Sequence, residues 1–268
     1  MSTQLLIYEK VIPVSKQRHT GWSVKAGADY AFAKHVNSVP LVAIEFPNAA
    51  AEYSIVFAGD KDAMMPVVLL GIRDKENLYL DEANQWDAKY IPAFIRRYPF
   101  VFSKSEDGAT FTLCIDEDFS GCNQESRGER LFDSEGERTQ YLESMLRFVN
   151  EYQGQFMRTQ IFCKKLQELN LLEPMQAQFT LTSGQRLRLA GFSAVNRERL
   201  KQLTDEQVAG LFKTDELELI YLHLQSMRNF NSMLNRTGAS GEAKSASDAA
   251  EASSATEIEV AASKEKLH

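Results

Sequence analysis

The chain has 268 residues, 30 Lys and Arg against 37 Asp and Glu, and 44% hydrophobic side chains. That length allows one large domain or two small ones, and a formal net charge of −7 excludes a general nucleic-acid binder, whose phosphate contacts need a basic face. The longest apolar run, Met64 to Ile72, falls well short of the roughly 18 residues that cross a bilayer, so no membrane span is expected.

The first ten residues place no basic stretch ahead of a long apolar segment, which is not the pattern of a secretory signal. Three cysteines, Cys114, Cys122 and Cys163, lack Cys-x-x-Cys spacing and cannot all pair within one chain. Both features predict a soluble protein of the cytoplasm.

In chain order, Val39–Phe46 reads as a strand or buried segment that stops at Pro47, with a helical turn or two over Asn48–Glu52. Tyr53–Ala58 is rich in β-branched and aromatic residues and predicts a second strand, ended by Gly59-Asp60. Val67–Gly71 and Asn77–Leu80, separated by four polar residues, predict a hairpin. The turn Asp81–Gln85 then leads to Trp86.

Tyr90–Pro99 predicts a short helix with Pro92 in its first turn and Pro99 ending it. Phe100–Phe102 and Thr110–Ile115 flank Ser103–Gly108 as a further hairpin. From Thr139, the expected cap, the apolar residues Leu142, Met145, Leu146, Val149, Tyr152, Phe156, Phe162, Leu166 and Leu169 follow helical spacing. Pro174 is expected to end that helix. A small hairpin pairs Gln178–Leu181 with Arg186–Leu189 across Thr182–Gly184, and Gly191–Val195 reads as a third strand. Thr204-x-x-Gln207 is a capping-box pattern, and Thr214-Asp215 is expected to cap a last helix with a stripe at Leu217, Ile220, Tyr221, Leu224, Met227, Phe230 and Leu234.

From Thr237 the composition changes to nine Ala and six Ser in 32 residues, with no aromatic side chain. So few apolar groups cannot offset a backbone ordering cost of about 1–2 kcal/mol per residue, and a disordered, solubilising tail is expected over 237–268. Residues 1–236 are expected to form a single domain.

Several of these segments together resemble one bacterial family. Asn77–Asp81, Tyr90-Ile-Pro-Ala-Phe-Ile-Arg-Arg-Tyr-Pro-Phe100, Leu113–Glu117, Leu131-Phe-Asp-Ser-Glu-Gly-Glu137, Gly191–Val195 and Leu217–Leu224 are similar to the SapC-like family, over roughly residues 5–236. The Tyr-Ile-Pro-Ala-Phe block is the most specific part. The resemblance implies no reaction and transfers no catalytic residue. It implies a gene neighbourhood with TonB-dependent receptors, tryptophan-halogenase-like genes and a surface-layer protein.

Asp116-Glu-Asp118-Phe-Ser-Gly121 imitates the start of a calcium-binding loop, but Arg127 stands where a bidentate Glu is needed, so an acidic surface turn is expected. The histidines show no compact ligand spacing, and no metal or cofactor is expected. His19 is the histidine singled out as a catalytic candidate, expected to be exposed or partly packed within Lys16–His19. His223 lies off the main helical stripe. Cys114, in an apolar strand, is expected to be structural.

The remaining constellation is Arg96-Arg97 among aromatics. A guanidinium held between rings, with Trp86, Tyr90 and Tyr98 for stacking and hydroxyl donation, suits a small anionic or aromatic ligand. The competing reading is structural, with Arg97 paired to Asp116 or Asp133 and the aromatics in the core.

The expected fold is therefore α+β, an antiparallel sheet mostly from residues 39–115 packed against C-terminal helices, with a small extra hairpin at 178–189. The expected function is a non-enzymatic cytoplasmic accessory or small-ligand-binding protein, linked to uptake or use of a substrate imported by a TonB-dependent receptor. The alternatives are an enzyme acting on a small anionic metabolite through Arg96, Arg97 and His19, and an assembly factor whose partner is a surface-layer or secretion protein.

Overall fold

The apolar runs of the sequence become strands in the computed structural model, which describes residues 5–27, 29–60, 63–104, 110–180, 186–239 and 259–262. The strands are β1 (Val11–Pro13), β2 (Ser23–Val24), β3 (Ser38–Pro40), β4 (Ile55–Ala58), β5 (Met65–Leu69), β6 (Phe100–Lys104), β7 (Phe111–Asp116), β8 (Cys122–Asn123), β9 (Glu129–Arg130), β10 (Leu172–Thr180), β11 (Arg186–Val195) and β12 (Glu259–Ala262). The helices are α1 (Lys16–His19), α2 (Phe46–Ala49), α3 (Ala93–Arg96), α4 (Gln140–Glu168), α5 (Arg197–Lys201), α6 (Asp205–Lys213), α7 (Glu216–Ser226) and α8 (Asn229–Ala239). Every strand pair is antiparallel, and the fold is α+β.

Two units divide the chain. The first comprises Met1–Lys34, Leu80–Asp87 and Ile91–Met157; the second comprises His35–Tyr79, Ala88–Tyr90 and Arg158–His268. In the first, strands β1-β7-β6 form one sheet and β8-β2-β9 another. Phe100, Val101, Cys114 and Ile115 are buried, as their apolar runs require. Thr139 accepts the Leu142 N–H and starts α4, whose buried Leu142, Val149, Tyr152 and Phe156 follow the predicted spacing.

In the second unit the strand order is β12-β10-β11-β4-β5-β3. Strand β5 is paired on both sides and buried along its whole length, which explains its unbroken apolar run. The core joins Val56, Val67 and Leu69 to Phe179 and Phe192 and to Phe230, Met233 and Leu234 of α8. C-terminal helices thus pack on antiparallel strands. The capping box forms at Thr204 and Gln207 as expected.

Several local expectations are corrected. The strand starting at Val39 ends at Pro40, because Glu45 folds back to accept the Val42 N–H and tightens Ala43–Glu45 into a 3-10 turn. Pro47 then stands in the first turn of α2, where its missing donor costs nothing. Asn77–Leu80 forms no hairpin with β5. Asn77 Oδ1 takes the Tyr79 N–H, and Leu80 bridges to Trp86 instead. Helix α4 ends at Glu168, with Asn170 at φ 50°, and Pro174 lies inside β10. Gly191–Val195 is the continuation of β11, so one long hairpin replaces the expected small one plus a third strand. The strands expected in one sheet over 39–115 are distributed over separate sheets.

The last helix is interrupted at Met227-Arg228; Ile220, Phe230 and Leu234 of its stripe are buried as expected, but Tyr221 is exposed and His223 and Ser226 are buried instead. Helix α8 extends to Ala239, and β12 pairs with Met175–Gln178. The rest of the expected tail, 240–258 and 263–268, lies outside the described residues, as do the turn residues 105–109 and 181–185.

Candidate functional site

Within the first unit, Val14 N–H donates to Leu113 O at 2.9 Å and extends the β1–β7 pairing by one residue. The chain from Val14 to Lys16 therefore runs beside Phe111–Leu113. Between Phe132 and Arg138, bridged as an antiparallel pair, the chain turns sharply. Asp133 Oδ1 accepts the Glu135 and Glu137 N–H groups at 2.9 Å each, and these backbone bonds hold its carboxyl below the usual range. Thr139 then directs the chain into α4.

These segments enclose a cleft of about 600 Å³. Val14, Phe111, Leu113, Phe132, Leu142 and Leu146 supply its apolar wall, and Ser15, Lys16, Thr112, Glu137 and Arg138 supply polar groups. That volume and mixed lining suit a small organic molecule. Phe132 and Leu142 are nearly covered, whereas Phe111 is 42% exposed.

Gly136 is what lets the wall close. Its φ is +78°, and an added Cβ would lie 2.0 Å from Lys16 Cε. The lysine stem crosses the turn there and Nζ donates to Glu135 O at 2.8 Å, with Glu137 at 3.9 Å. Gly136→Ala is expected to cost about 1–3 kcal/mol through backbone strain alone and to displace Lys16. Urea unfolding read by tryptophan fluorescence measures the cost, and a loss below half the lower figure would contradict this geometry.

His19 is wholly buried, which corrects the expectation of an exposed or partly packed ring. Its Nδ1 accepts the Ser15 N–H at 3.2 Å, and its Nε2 lies 3.3 Å from Glu117 Oε1. Burial pushes the imidazole pKa down despite the neighbouring carboxylate. The Glu117 side chain, 3% exposed, receives Arg18 through two nitrogens and Lys10 at 3.1 Å. The Arg18 bond dominates and holds its pKa down to about 2. This is a cross-link between α1, the segment before β1 and the end of β7.

Arg97 is 1% exposed, with its guanidinium carbon 4.5 Å from the Phe94 ring centre, 4.6 Å from that of Tyr152 and 5.7 Å from that of Tyr8. Tyr8 donates to Phe100 O at 2.7 Å, and burial pushes its hydroxyl up to about 12, with Arg97 opposing the shift. Tyr98 donates to Asp116 Oδ2 at 3.2 Å and stacks on Phe32 at 4.0 Å. Asp116 is buried rather than part of an acidic surface turn, and it also accepts the Glu9, Lys10 and Asp118 N–H groups. Four such bonds satisfy a carboxylate in place of an ion.

The structure brings Arg97 and Tyr98 together through Tyr8, and Trp86 joins the same aromatic run through Tyr30 and Phe32. Arg96 is exposed, donates from Nε to Ile91 O at 2.9 Å and lies over Phe148. Tyr90 belongs to the second unit, where its hydroxyl donates to Glu45 at 2.7 Å. None of His19, Trp86, Tyr90, Arg96, Arg97 and Tyr98 lines the cleft. Lys16, Phe111 and Arg138, which do, were not singled out from the sequence. The usable signal was the Asp-Ser-Glu-Gly turn at 133–136, four residues that fix a chain reversal.

Cys114 is buried and its thiol pKa is raised by burial, as expected of a structural cysteine. Among the described residues no group of three or more His, Cys, Asp and Glu side chains could hold a metal ion. No helix among them is long and apolar enough to cross a membrane.

A family model described as SapC matches residues 14–233. No curated protein and no solved structure matches the chain.

Proposed function

Because the chain belongs to the SapC family, a name that states no activity, we propose its function from the geometry: a small-ligand-binding protein that takes its ligand in the cleft of the first unit. The observation that carries this reading is the cleft of about 600 Å³, in which an apolar wall meets a polar edge. Exposure of Phe111 at this wall supports it, since a bound apolar group would cover that ring. Unpaired cysteines support a reducing, cytoplasmic setting. The gene neighbourhood implied by the family supports a role in uptake or use of an imported substrate, by analogy alone.

A non-enzymatic role fits the way His19 is used. Its two nitrogens face the Ser15 backbone and Glu117, and its ring is sealed from solvent. Arg97 is likewise engaged with rings inside the first unit.

Calorimetric titration with neutral 4-phenylbutanol tests the cleft directly. Wild type is expected to bind it, and Leu146→Trp, which fills part of the space, is expected to weaken binding at least about tenfold, as one lost apolar contact group implies. Absence of binding, or equal binding by the variant, removes this reading.

A further inference from the structure

Resting on the cleft reading, we infer that the ligand is a small carboxylic acid with an apolar body, oriented by Lys16 and Arg138. Both cations line the cleft, against one acidic residue, Glu137. Among the described residues neither is consumed by a buried partner. Lys16 Nζ donates to the Glu135 carbonyl and is 3.9 Å from Glu137, and Arg138 Nη1 is 3.3 Å from Glu143. These ion pairs are more than half exposed on the cationic side, so a ligand carboxylate can join them without breaking a buried bond.

The remaining geometry sets the ligand's orientation. Lys16 is fixed across Gly136, so its charge is tethered to the Asp133–Glu137 turn instead of sweeping through solvent. Arg138 follows the same turn and its backbone bridges back to Phe132, so the two arms of one turn supply a cation and a ring to the lining. The rest of the lining divides into the apolar Phe111, Phe132, Leu142 and Leu146 and the neutral polar Ser15 and Thr112. An acid with an aryl or alkyl body matches that division. A cationic amine of the same shape meets two like charges, and an alcohol gains no ion pair.

The probes are 4-phenylbutyrate, 4-phenylbutanol and 4-phenylbutylamine, titrated calorimetrically into the full chain. Wild type is expected to bind the acid about fivefold more tightly than the alcohol and to bind the amine worst, a size typical of exposed ion pairs. Lys16→Gln and Arg138→Gln are each expected to reduce acid binding about two- to fourfold without changing alcohol binding. Glu137→Gln, which removes the competing anion, is expected to strengthen acid binding about twofold. Equal binding of acid and alcohol, or charge variants that leave their ratio unchanged, overturns the carboxylate assignment while the cleft stands. Loss of all three probes together, or no response to Leu146→Trp, overturns the cleft itself.

Discussion

Replacing Arg97 with alanine is expected to lower the stability of the first unit by about 3–5 kcal/mol, the range for large core truncations and for broken buried charge contacts. The side chain is 1% exposed and touches the Phe94, Tyr152 and Tyr8 rings, so truncation removes packing on several sides at once. It also removes the positive charge that opposes the rise in the Tyr8 hydroxyl pKa. Arg97→Met separates the contributions. A methionine keeps much of the volume and leaves no charge to solvate, so it is expected to recover about half of the loss.

Trp22 and Trp86 both belong to the first unit, which makes tryptophan fluorescence during urea unfolding a reporter of that unit. An Arg97→Ala unfolding free energy within about 1 kcal/mol of wild type would falsify the enclosed guanidinium. The same variant bears on ligand recognition. Arg97 lies outside the cleft, so folded Arg97→Ala is expected to bind 4-phenylbutanol as wild type does.

The part of this architecture that the sequence made legible is the part governed by local pattern. Helix α4 could be read because Leu142, Val149, Tyr152, Phe156, Phe162 and Leu166 recur at helical spacing behind a Thr139 cap. Strands β6 and β7 and the Thr204 box were equally local. Proline was ambiguous for a physical reason: a missing N–H is compatible with the first turn of α2 at Pro47 and with a strand at Pro174, as well as with a stop.

His223 was misplaced for a different reason. Hydrophobicity ranks Tyr221 above it as a core residue, yet the interior there contains backbone groups that need a polar partner. The cleft was illegible because Val14–Lys16, Phe111–Leu113, Phe132–Arg138 and Leu142–Leu146 meet only after β1 pairs with β7. No window of neighbouring residues contains that juxtaposition.

Strand β4 explains what His223 does, and it leads to a pH-dependent expectation. Register pairing between β4 and β11 is confined to Phe57 and Ser193, which leaves Ile55 and Val195 without sheet partners across that gap. His223 fills it. Nδ1 donates to Ile55 O at 2.8 Å and Nε2 accepts Val195 N–H at 3.0 Å, an arrangement that requires the neutral ring. Ser226 Oγ, 3.0 Å away, accepts the Ile55 N–H.

Complete burial pushes the His223 pKa down from 6.5 to about 4. A lowered pKa in the folded state means that the unfolded chain binds its proton first as pH falls. The stabilisation is therefore fully present above pH 6.5 and is lost progressively as pH drops towards 4, by about 3 kcal/mol over the whole span. His223→Gln is expected to be less stable than wild type by about 2–4 kcal/mol at pH 7.5, because it satisfies the two backbone groups poorly. Since glutamine does not titrate, that gap is expected to narrow by about 2–3 kcal/mol at pH 4.5. Urea unfolding followed by far-ultraviolet circular dichroism reads helix content, to which α5 to α8 of the second unit contribute, and a gap that stays constant between the two pH values would show that the fold does not hold His223 neutral.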